Sequence, residues 1–311
     1  MNVLARLDGS RNGVGCFSRT VLAATLALGV YGLPGTAQSM EPGSTRPEID
    51  IGVQPKGETD ASTDADGEAS TSEQWSVGLG LGLASSPRYA GSDERQTALM
   101  PFVSINYGMF YLIPMELGVQ YATDYGTSFQ VGIAYGRGRA EKKRKSGIFG
   151  GGGGSDKLAG MGEVKGSTLI NLKLSQDVTD WLAVDLGGEF AVGGQKHQGN
   201  QYTAGISLRP WMTDTDQIEV GVTTYLGDKD YNKTYFGVTP EQALRSRYGQ
   251  FNAESGAYAS SVEASWTHVI DKHWSTIATA EYLQYSKEIK KSPIVLDSSG
   301  VAAMVGINYT F

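Results

Sequence analysis

Hydrophobic residues occupy every second position along most of the chain. The first such stretch places apolar side chains at Trp75, Val77, Leu79, Leu81 and Leu83, with serine and glycine between them. Successive side chains of a strand point to opposite faces, so one face is apolar and the other is small or polar. The alternation recurs at 128–135, 170–175, 182–190, 201–208, 218–223 and 301–311. This pattern predicts an all-β protein.

The length of these strands separates two kinds of all-β protein. The repeats run about 10 to 13 residues, whereas strands of soluble proteins usually have 5 or 6. A tilted strand that crosses a bilayer needs about 9 to 11 residues. The sequence therefore predicts an antiparallel transmembrane β-barrel of the outer membrane, and a soluble β-sandwich is the alternative.

The strand count follows from the alternation. Eleven strands are predicted, at 74–85, 97–107, 109–121, 127–137, 165–176, 181–192, 199–210, 217–226, 257–270, 273–286 and 300–311. A barrel with both termini on the periplasmic side has an even number of strands. We therefore predict about 12 strands, with the missing one in 138–164 and with 10 as the alternative. Segments 227–256 and 287–299 are predicted outer loops, because they are rich in turn-forming and polar residues.

The N-terminal part of the chain has a different composition. Residues 1–37 show a weakly basic start, an apolar run over 21–31 and small residues at 35–37, which predicts a signal peptide cleaved after Ala37. That run is too short to cross a hydrocarbon core. The only cysteine, Cys16, would leave with the signal. Export, outer-membrane location and a mature chain without disulfides are the expectations.

Residues 38–73 are acidic and nearly free of large apolar side chains. They hold nine acids against two bases. Such a segment cannot bury a core, so we predict a disordered acidic extension, followed by the barrel domain at 74–311. The net charge of the whole chain is −7, which argues against a nucleic-acid partner.

Tryptophans lie beside short polar turns. Trp181 follows a turn at 177–180, Trp211 precedes one at 213–216, and Trp274 follows 271–273. Barrels carry aromatic girdles where membrane meets water. Together with Trp75 at the first strand, these residues are predicted to be interface aromatics, and ordinary core packing is the alternative.

Candidate chemistry is sparse. The glycine run at 147–157 lacks the Gly-Lys-Ser/Thr ending of a phosphate loop and is better explained as a flexible loop. His197, His268 and His273 show no spacing of a triad or a metal site. No catalytic residue, cofactor or metal ion is therefore expected, and the protein is predicted not to be an enzyme.

Charged residues allow two further interpretations. The run 142–145 could meet lipid phosphates or could simply be solvated. Five acids lie at strand positions that face inward or whose facing the alternation leaves open, and they could line a polar lumen: Asp185, Glu189, Glu219, Glu263 and Glu281. Their presence leaves a conducting pore and a closed scaffold equally open.

The chain ends in an aromatic strand. Tyr309 and Phe311 resemble the signal that the barrel-assembly machinery recognises. We therefore expect that machinery as a partner, together with outer-membrane lipid.

Several phrases in order along 74–311 are similar to the MipA/OmpV family, the MltA-interacting proteins. These are Tyr89-Ala90-Gly91-Ser92-Asp93, Phe110-Tyr111-Leu112, Gly136-Arg137-Gly138-Arg139, Tyr235-Phe236-Gly237-Val238-Thr239, Ser292-Pro293-Ile294-Val295 and the aromatic ending. The acidic extension and the five-glycine insert depart from the family pattern.

The resemblance implies an outer-membrane protein that scaffolds a lytic murein transglycosylase and a penicillin-binding synthase. It supplies no catalytic residues. The family phrases are expected to shape loops, with possible functional contacts at Tyr89, Gly91, Ser92, Asp93, Tyr235, Phe236 and Gly237. A small-solute channel and a surface adhesin or antigen are the alternative functions.

Overall fold

Twelve antiparallel strands close into one barrel. A computed structural model describes residues 75–144, 153–194 and 198–311. Each strand pairs with its neighbours in sequence, and β12 pairs with β1. The strands are β1 Trp75–Pro87, β2 Arg95–Tyr107, β3 Phe110–Ile113, β4 Glu116–Ala122, β5 Thr127–Gly136, β6 Ser167–Thr179, β7 Leu182–Ala191, β8 Asn200–Met212, β9 Asp216–Gly227, β10 Gly256–Val269, β11 Trp274–Tyr285 and β12 Ser299–Thr310. The predicted antiparallel barrel of about 12 strands is confirmed, and the alternative of 10 is wrong.

Several predictions fall outside the described residues. They are the signal peptide 1–37, the acidic extension 38–73, most of the five-glycine run and the residues Lys145 and His197. The cleavage site and the extension therefore stay predictions. Among the described residues, no helix is both long and apolar enough to cross a membrane.

The outer surface of the barrel is apolar at mid-height. Strand register places Leu81 beside Pro101 on one side and Ile307 on the other. The exposed residues at this height form what we call the apolar belt: Leu79, Leu81, Leu83, Leu99, Val103, Val131, Ile133, Leu172, Leu174, Val184, Leu186, Ile206, Val222, Val262, Val305 and Ile307. Exposure of so large an apolar surface to water is unfavourable, whereas its contact with lipid hydrocarbon is favourable. The molecule is a transmembrane barrel.

The two ends of the barrel differ in the length of their connections. At the end where β1 begins, the strands are joined by turns of two to four residues at 108–109, 123–126, 180–181, 213–215 and 270–273. We call this the turn end. The opposite loop end carries 88–94, 114–115, 137–166, 192–199, 228–255 and 286–298. The predicted loops 227–256 and 287–299 lie at this end, as 228–255 and 286–298, and their outward orientation stays a prediction. The longer loop contains helices α1 Lys229–Phe236 and α2 Pro240–Arg245.

The position of the twelfth strand was predicted wrongly. Segment 109–121 forms two strands, β3 and β4, where one was expected. Pro114 has no N–H to donate, and Met115 adopts a left-handed φ of 72°, so the chain reverses there. The described part of 138–164 instead contributes a bridge between Arg139 and Val164 and a 3-10 helix at Asp156–Leu158.

The short β3–β4 hairpin leaves part of β2 paired on one side only. β2 pairs with β3 at Ile105, Asn106 and Tyr107, whereas its pairing with β1 extends to Arg95. Tyr107 and Phe110 flank a two-residue turn, so the backbone groups of odd-numbered β2 residues point toward β3. The backbone nitrogen of Pro101 therefore faces the unpaired side of β2. A proline there removes no hydrogen bond between strands.

The barrel interior has an apolar half and a polar half. The apolar half lies along β1, β2, β11 and β12 and is filled by Ala84, Phe102, Ile277, Ala302 and Met304. Gly80 permits this filling, because a Cβ atom there would lie 1.8 Å from Cζ of Phe102. The polar half lies along β4 and β6 to β11.

Candidate functional site

Loops pack over the loop end and form a cap. We define the cap as the described residues of 88–94, 137–166, 228–255 and 286–298. Its apolar cluster joins residues from all four segments: Tyr89, Leu158, Met161, Val238, Tyr248 and Ile294. Leu158 and Ile294 are fully buried. The loops thus carry a hydrophobic core of their own.

Aromatic rings connect the cap to the barrel wall. The ring of Phe236 lies 5.3 Å from that of Tyr258 on β10 and 5.9 Å from that of Tyr285 on β11. Tyr231 stacks on Tyr258 at 5.5 Å. The hydroxyls of Tyr231 and Tyr258 each donate to Oε1 of Gln201 at 2.6 Å. The cap is therefore fixed to the wall by packing and by hydrogen bonds.

The first helix of the cap is anchored at its N-terminus. The Asp228 carboxylate caps α1 by accepting from the backbone N–H of Tyr231 at 2.8 Å. It also accepts from the backbone N–H of Asn200 at 2.8 Å. One carboxylate thus starts the helix and ties it to β8.

The second helix is held by a capping box. Thr239 and Gln242 exchange the two hydrogen bonds of the box, and Pro240 occupies the first turn. The Gln242 side chain also donates to the carbonyl of Met161 at 2.7 Å. This contact links 228–255 to the loop between β5 and β6.

The family phrase Tyr89 to Asp93 lies within the cap. Tyr89 and Ser92 are buried. Gly91 adopts a φ of +86°, and a Cβ atom there would lie 2.8 Å from Cα of Val295. Its N–H donates to the Tyr285 hydroxyl at 2.7 Å. Asp93 receives the Lys157 ammonium at 2.5 Å, so this phrase joins the cap segments to each other.

The phrase Tyr235 to Gly237 closes α1. Phe236 is fully buried. The carbonyl of Tyr235 accepts from Nη1 of Arg139 at 2.9 Å. The N–H of Gly237 donates to the Lys233 carbonyl at 3.0 Å and ends the helix. These residues shape the loops, and their direct functional contacts stay a prediction.

Burial changes the acidity of cap residues. It raises the pKa of the Tyr235 hydroxyl to about 12 and the pKa of the Tyr89 and Tyr231 hydroxyls above their usual value. It lowers the pKa of the Arg139 guanidinium. The three phenols are therefore neutral at physiological pH and act in the cap by packing and hydrogen bonding.

Below the cap, the polar half of the lumen contains most of the inward charges. The acids Asp185, Glu189, Glu219, Glu263 and Glu281 all share the parity of inward-facing neighbours on their strands. Ser207 donates to Asp185 at 2.6 Å, and the Tyr225 hydroxyl donates to Glu281 at 3.1 Å. These carboxylates line a shared polar space.

Residues outside the earlier candidate set complete this space. Glu116 on β4 accepts from the Tyr111 hydroxyl and, at 2.7 Å, from Nδ2 of Asn171. Lys173 lies between the outward-facing Leu172 and Leu174, so alternation alone could have placed it inside. The inward position of Glu116 was not predicted, because the turn at 114–115 was missed. After that turn the inward positions change from odd-numbered to even-numbered residues.

An ion-pair group lies near the turn end. The buried guanidinium of Arg209 lies 3.1 Å from Asp177 and 3.7 Å from Glu219. These side chains connect β6, β8 and β9. They hold three strands together by charge at a point where the connecting turns are short.

The predicted interface aromatics all lie near the turn end. Trp75 begins β1, Trp181 precedes β7, Trp211 lies near the end of β8 and Trp274 begins β11. All four are exposed. This placement puts them at one rim, and their insertion at a membrane interface stays a prediction.

The C-terminal aromatics lie at the same end. Tyr309 packs at 4.9 Å from the rings of both Trp274 and Phe311, and its ring stacks on His273 at 5.3 Å. Phe311 is exposed. Its role as an assembly signal stays a prediction.

The remaining histidines make local contacts. Nδ1 of His268 lies 2.9 Å from Asp216, and Nδ1 of His273 lies 2.9 Å from the Thr310 carbonyl. Within the part of the chain that the structure describes, no three His, Cys, Asp or Glu side chains gather as a metal site would require.

Comparison with known proteins gives one family match. The family model described as MltA-interacting protein MipA matches residues 79–311, which is most of the chain and nearly the whole barrel. No curated protein matches the chain.

Solved outer-membrane barrels resemble the fold. The COG4313 outer membrane channel from Pseudomonas putida F1 is 9% identical, with 79% of this chain and 100% of that chain covered and a TM-score of 0.41. The NanC porin is 11% identical, with coverages of 75% and 98% and a TM-score of 0.38. The translocator domain of the autotransporter NalP from Neisseria meningitidis is 10% identical, with coverages of 78% and 90% and a TM-score of 0.37. At these TM-scores the likenesses carry no argument about function.

Proposed function

The chain belongs to the MltA-interacting protein MipA family, and from that premise we propose that it is a non-enzymatic outer-membrane scaffold for peptidoglycan remodelling. In this role it holds a lytic murein transglycosylase and a penicillin-binding synthase beside each other. The family match over residues 79–311 is the observation that carries the proposal. The barrel-assembly machinery inserts the chain after signal cleavage near Ala37, guided by Tyr309 and Phe311.

The architecture supports a scaffold in the outer membrane. The apolar belt matches a hydrocarbon layer, and short turns are typical of the periplasmic side of bacterial barrels. The buried cap at the loop end favours a closed molecule over a wide pore, since Phe236, Leu158 and Ile294 fill that end.

The turn end is the proposed docking face for the murein enzymes. It faces the periplasm in this orientation. β1 begins there, so the acidic extension 38–73 would leave the barrel on the same side. The turns and the extension together offer a surface to periplasmic partners.

Affinity capture tests the scaffold. The mature chain is reconstituted in detergent micelles with a tag inserted at Leu244, which is exposed on the cap and leaves the turn end free. Periplasmic extract is passed over it, and retained proteins are identified by mass spectrometry. We expect a lytic murein transglycosylase and a penicillin-binding protein to be retained together.

Two controls locate the interaction. A tagged variant without 38–73 separates binding by the extension from binding by the turns. A heat-unfolded sample reports retention that needs no folded barrel. If a folded barrel retains neither murein enzyme at low and moderate salt, the scaffold proposal is wrong.

A small-solute channel is the second candidate, because the polar half of the lumen contains inward charges that keep part of their surface accessible. Discrete conductance steps in planar bilayers would support it. Their absence with correctly folded protein would exclude it. Adhesion to a host surface remains a prediction from the sequence.

A further inference from the structure

Two carboxylates face each other directly inside the barrel. Glu263 on β10 and Glu281 on β11 are register partners. Directly opposed side chains of an antiparallel pair have Cβ atoms about 5 Å apart, and like charges there are destabilising. Glu281 is 5% exposed. A cation placed between these two groups would remove their repulsion.

The surrounding polar half has more acids than bases. Among the described strands, seven carboxylates face inward: Glu116, Asp177, Asp185, Glu189, Glu219, Glu263 and Glu281. The inward bases there are Lys173 and Arg209, so the inward acids outnumber the inward bases by five. Arg209 is engaged with Asp177 and Glu219 near the turn end. The excess is therefore concentrated higher in the lumen.

Lys173 provides an example of an alkylammonium group in this space. Its ammonium interacts electrostatically with the carboxylates of Glu116, Glu189, Asp185 and Glu263. The barrel thus already accommodates one primary amine on a flexible hydrocarbon chain among these acids.

Two buried polar atoms on β6 point into the same space without a partner. Oδ1 of Asn171 and Oγ of Ser175 accept no hydrogen bond in the structure. Their residues are 9% and 6% exposed. Both lie on the inward face with Lys173, and an unpartnered buried oxygen costs free energy that an N–H donor would recover.

Some charged side chains of the polar half are partly accessible inside the barrel. Lys173, Asp185, Glu189 and Glu263 keep part of their surface accessible although the wall surrounds them. The acids are spread over several strands and do not converge on one point. Separated charges of this kind suit a ligand whose own charges are separated by a chain.

We propose that the polar half of the lumen binds a linear organic polyamine, a hydrocarbon chain that carries two or more ammonium groups. One ammonium lies between Glu263 and Glu281, and other N–H groups reach Asn171 and Ser175 on the facing wall. The ligand enters from the turn end, because the cap closes the other end. This inference goes beyond the scaffold function and does not depend on it.

Calorimetric titration with spermine tests the site. The mature chain in neutral detergent micelles is compared with a double variant, Glu263→Gln with Glu281→Gln. The matched control is Glu254→Gln with Glu288→Gln, which removes the same charge from exposed cap positions. The acidic extension is present in all three proteins, so its own binding cancels in the comparison.

We expect the lumen double variant to bind spermine at least roughly tenfold more weakly than the control variant. Spermine should also raise the melting temperature of the unchanged protein and of the control, and not that of the lumen variant. That variant should itself melt no lower than the unchanged protein, because its substitutions remove repulsion.

Equal binding by the lumen variant and the control, with both barrels folded, would overturn the proposal. It would assign spermine binding to the acidic extension or to the surface. A lumen variant that fails to fold is replaced by Asn171→Leu, which keeps all charges and removes one acceptor. Unchanged affinity in that variant together with unchanged affinity in Glu281→Gln alone would equally overturn it.

Discussion

The two ends of the barrel are stabilised by different physical means. At the loop end, four chain segments bury Phe236, Leu158 and Ile294 completely. At the turn end the connections are too short to build a core, tryptophans remain exposed, and Arg209 joins three strands by charge. The stability of the loop end should therefore depend on buried apolar side chains, and that of the turn end on ion pairs.

Removing volume from the cap should have the largest effect. Phe236→Ala leaves a cavity among Tyr258, Tyr285 and their neighbours, and we expect a loss of about 3–5 kcal/mol in cap stability. Limited proteolysis should then cut within 228–255 while the barrel keeps its heat-modifiable migration.

Leu244→Ala is the matched control for this change. Leu244 lies on α2 of the same loop and is 89% exposed, so its truncation should leave proteolysis unchanged. Equal protection of both variants would show that the cap does not depend on its apolar core.

Removing charge near the turn end should have an intermediate effect. Arg209→Met leaves Asp177 and Glu219 without their shared cation, and we expect a loss of about 1.5–3 kcal/mol in barrel stability, as for hydrogen bonds to a charged group. Urea unfolding in micelles measures it. Lys229→Met removes a cation from an exposed pair with Glu254 and should cost less than about 1 kcal/mol. Similar losses in both variants would contradict the contrast between buried and exposed pairs.

The smallest expected effect is a loss of cap stability at alkaline pH, caused by ionisation of the Tyr235 hydroxyl. This ionisation should not affect the turn end. Below pH 10 Tyr235 is neutral in both the closed and the opened cap. Above pH 10 the opened cap loses the proton first, because burial raises the pKa of the closed form to about 12. Cap stability should therefore fall between pH 10 and 12.

Hydrogen exchange of 228–255 across that pH range, corrected for its intrinsic rate, measures the effect. Tyr235→Phe carries no ionisable hydroxyl and should show a shallower decline. If the decline is equally steep in this variant, Tyr235 is not a source of the alkaline sensitivity.

The outer face of the barrel was predictable because every outward position that contacts lipid hydrocarbon favours an apolar side chain. Leu79, Leu81 and Leu83 satisfy this preference with a period of two, and the same rule located most strands. The rule failed at Pro114, where a turn reverses parity between Leu112 and Leu117. Proline was the local signal of that reversal.

The cap was not predictable in the same way. Tyr89, Leu158 and Ile294 lie far apart in sequence and follow no common period, yet they share one cluster. Their contacts depend on how four loops fold over the barrel, which local alternation does not encode. Five of the inward acids were predictable one strand at a time, whereas the opposition of Glu263 and Glu281 required the register between strands.

The uneven pairing of the wall has a mechanical consequence. Three residue pairs join β2 to β3, whereas eight join β1 to β12 where the chain closes on itself. A force that pulls the wall apart would therefore separate β2 from β3 before it separated the terminal strands. Gly108 and Met109 connect those two strands at the turn end. The strands would therefore stay joined there and separate progressively toward the loop end.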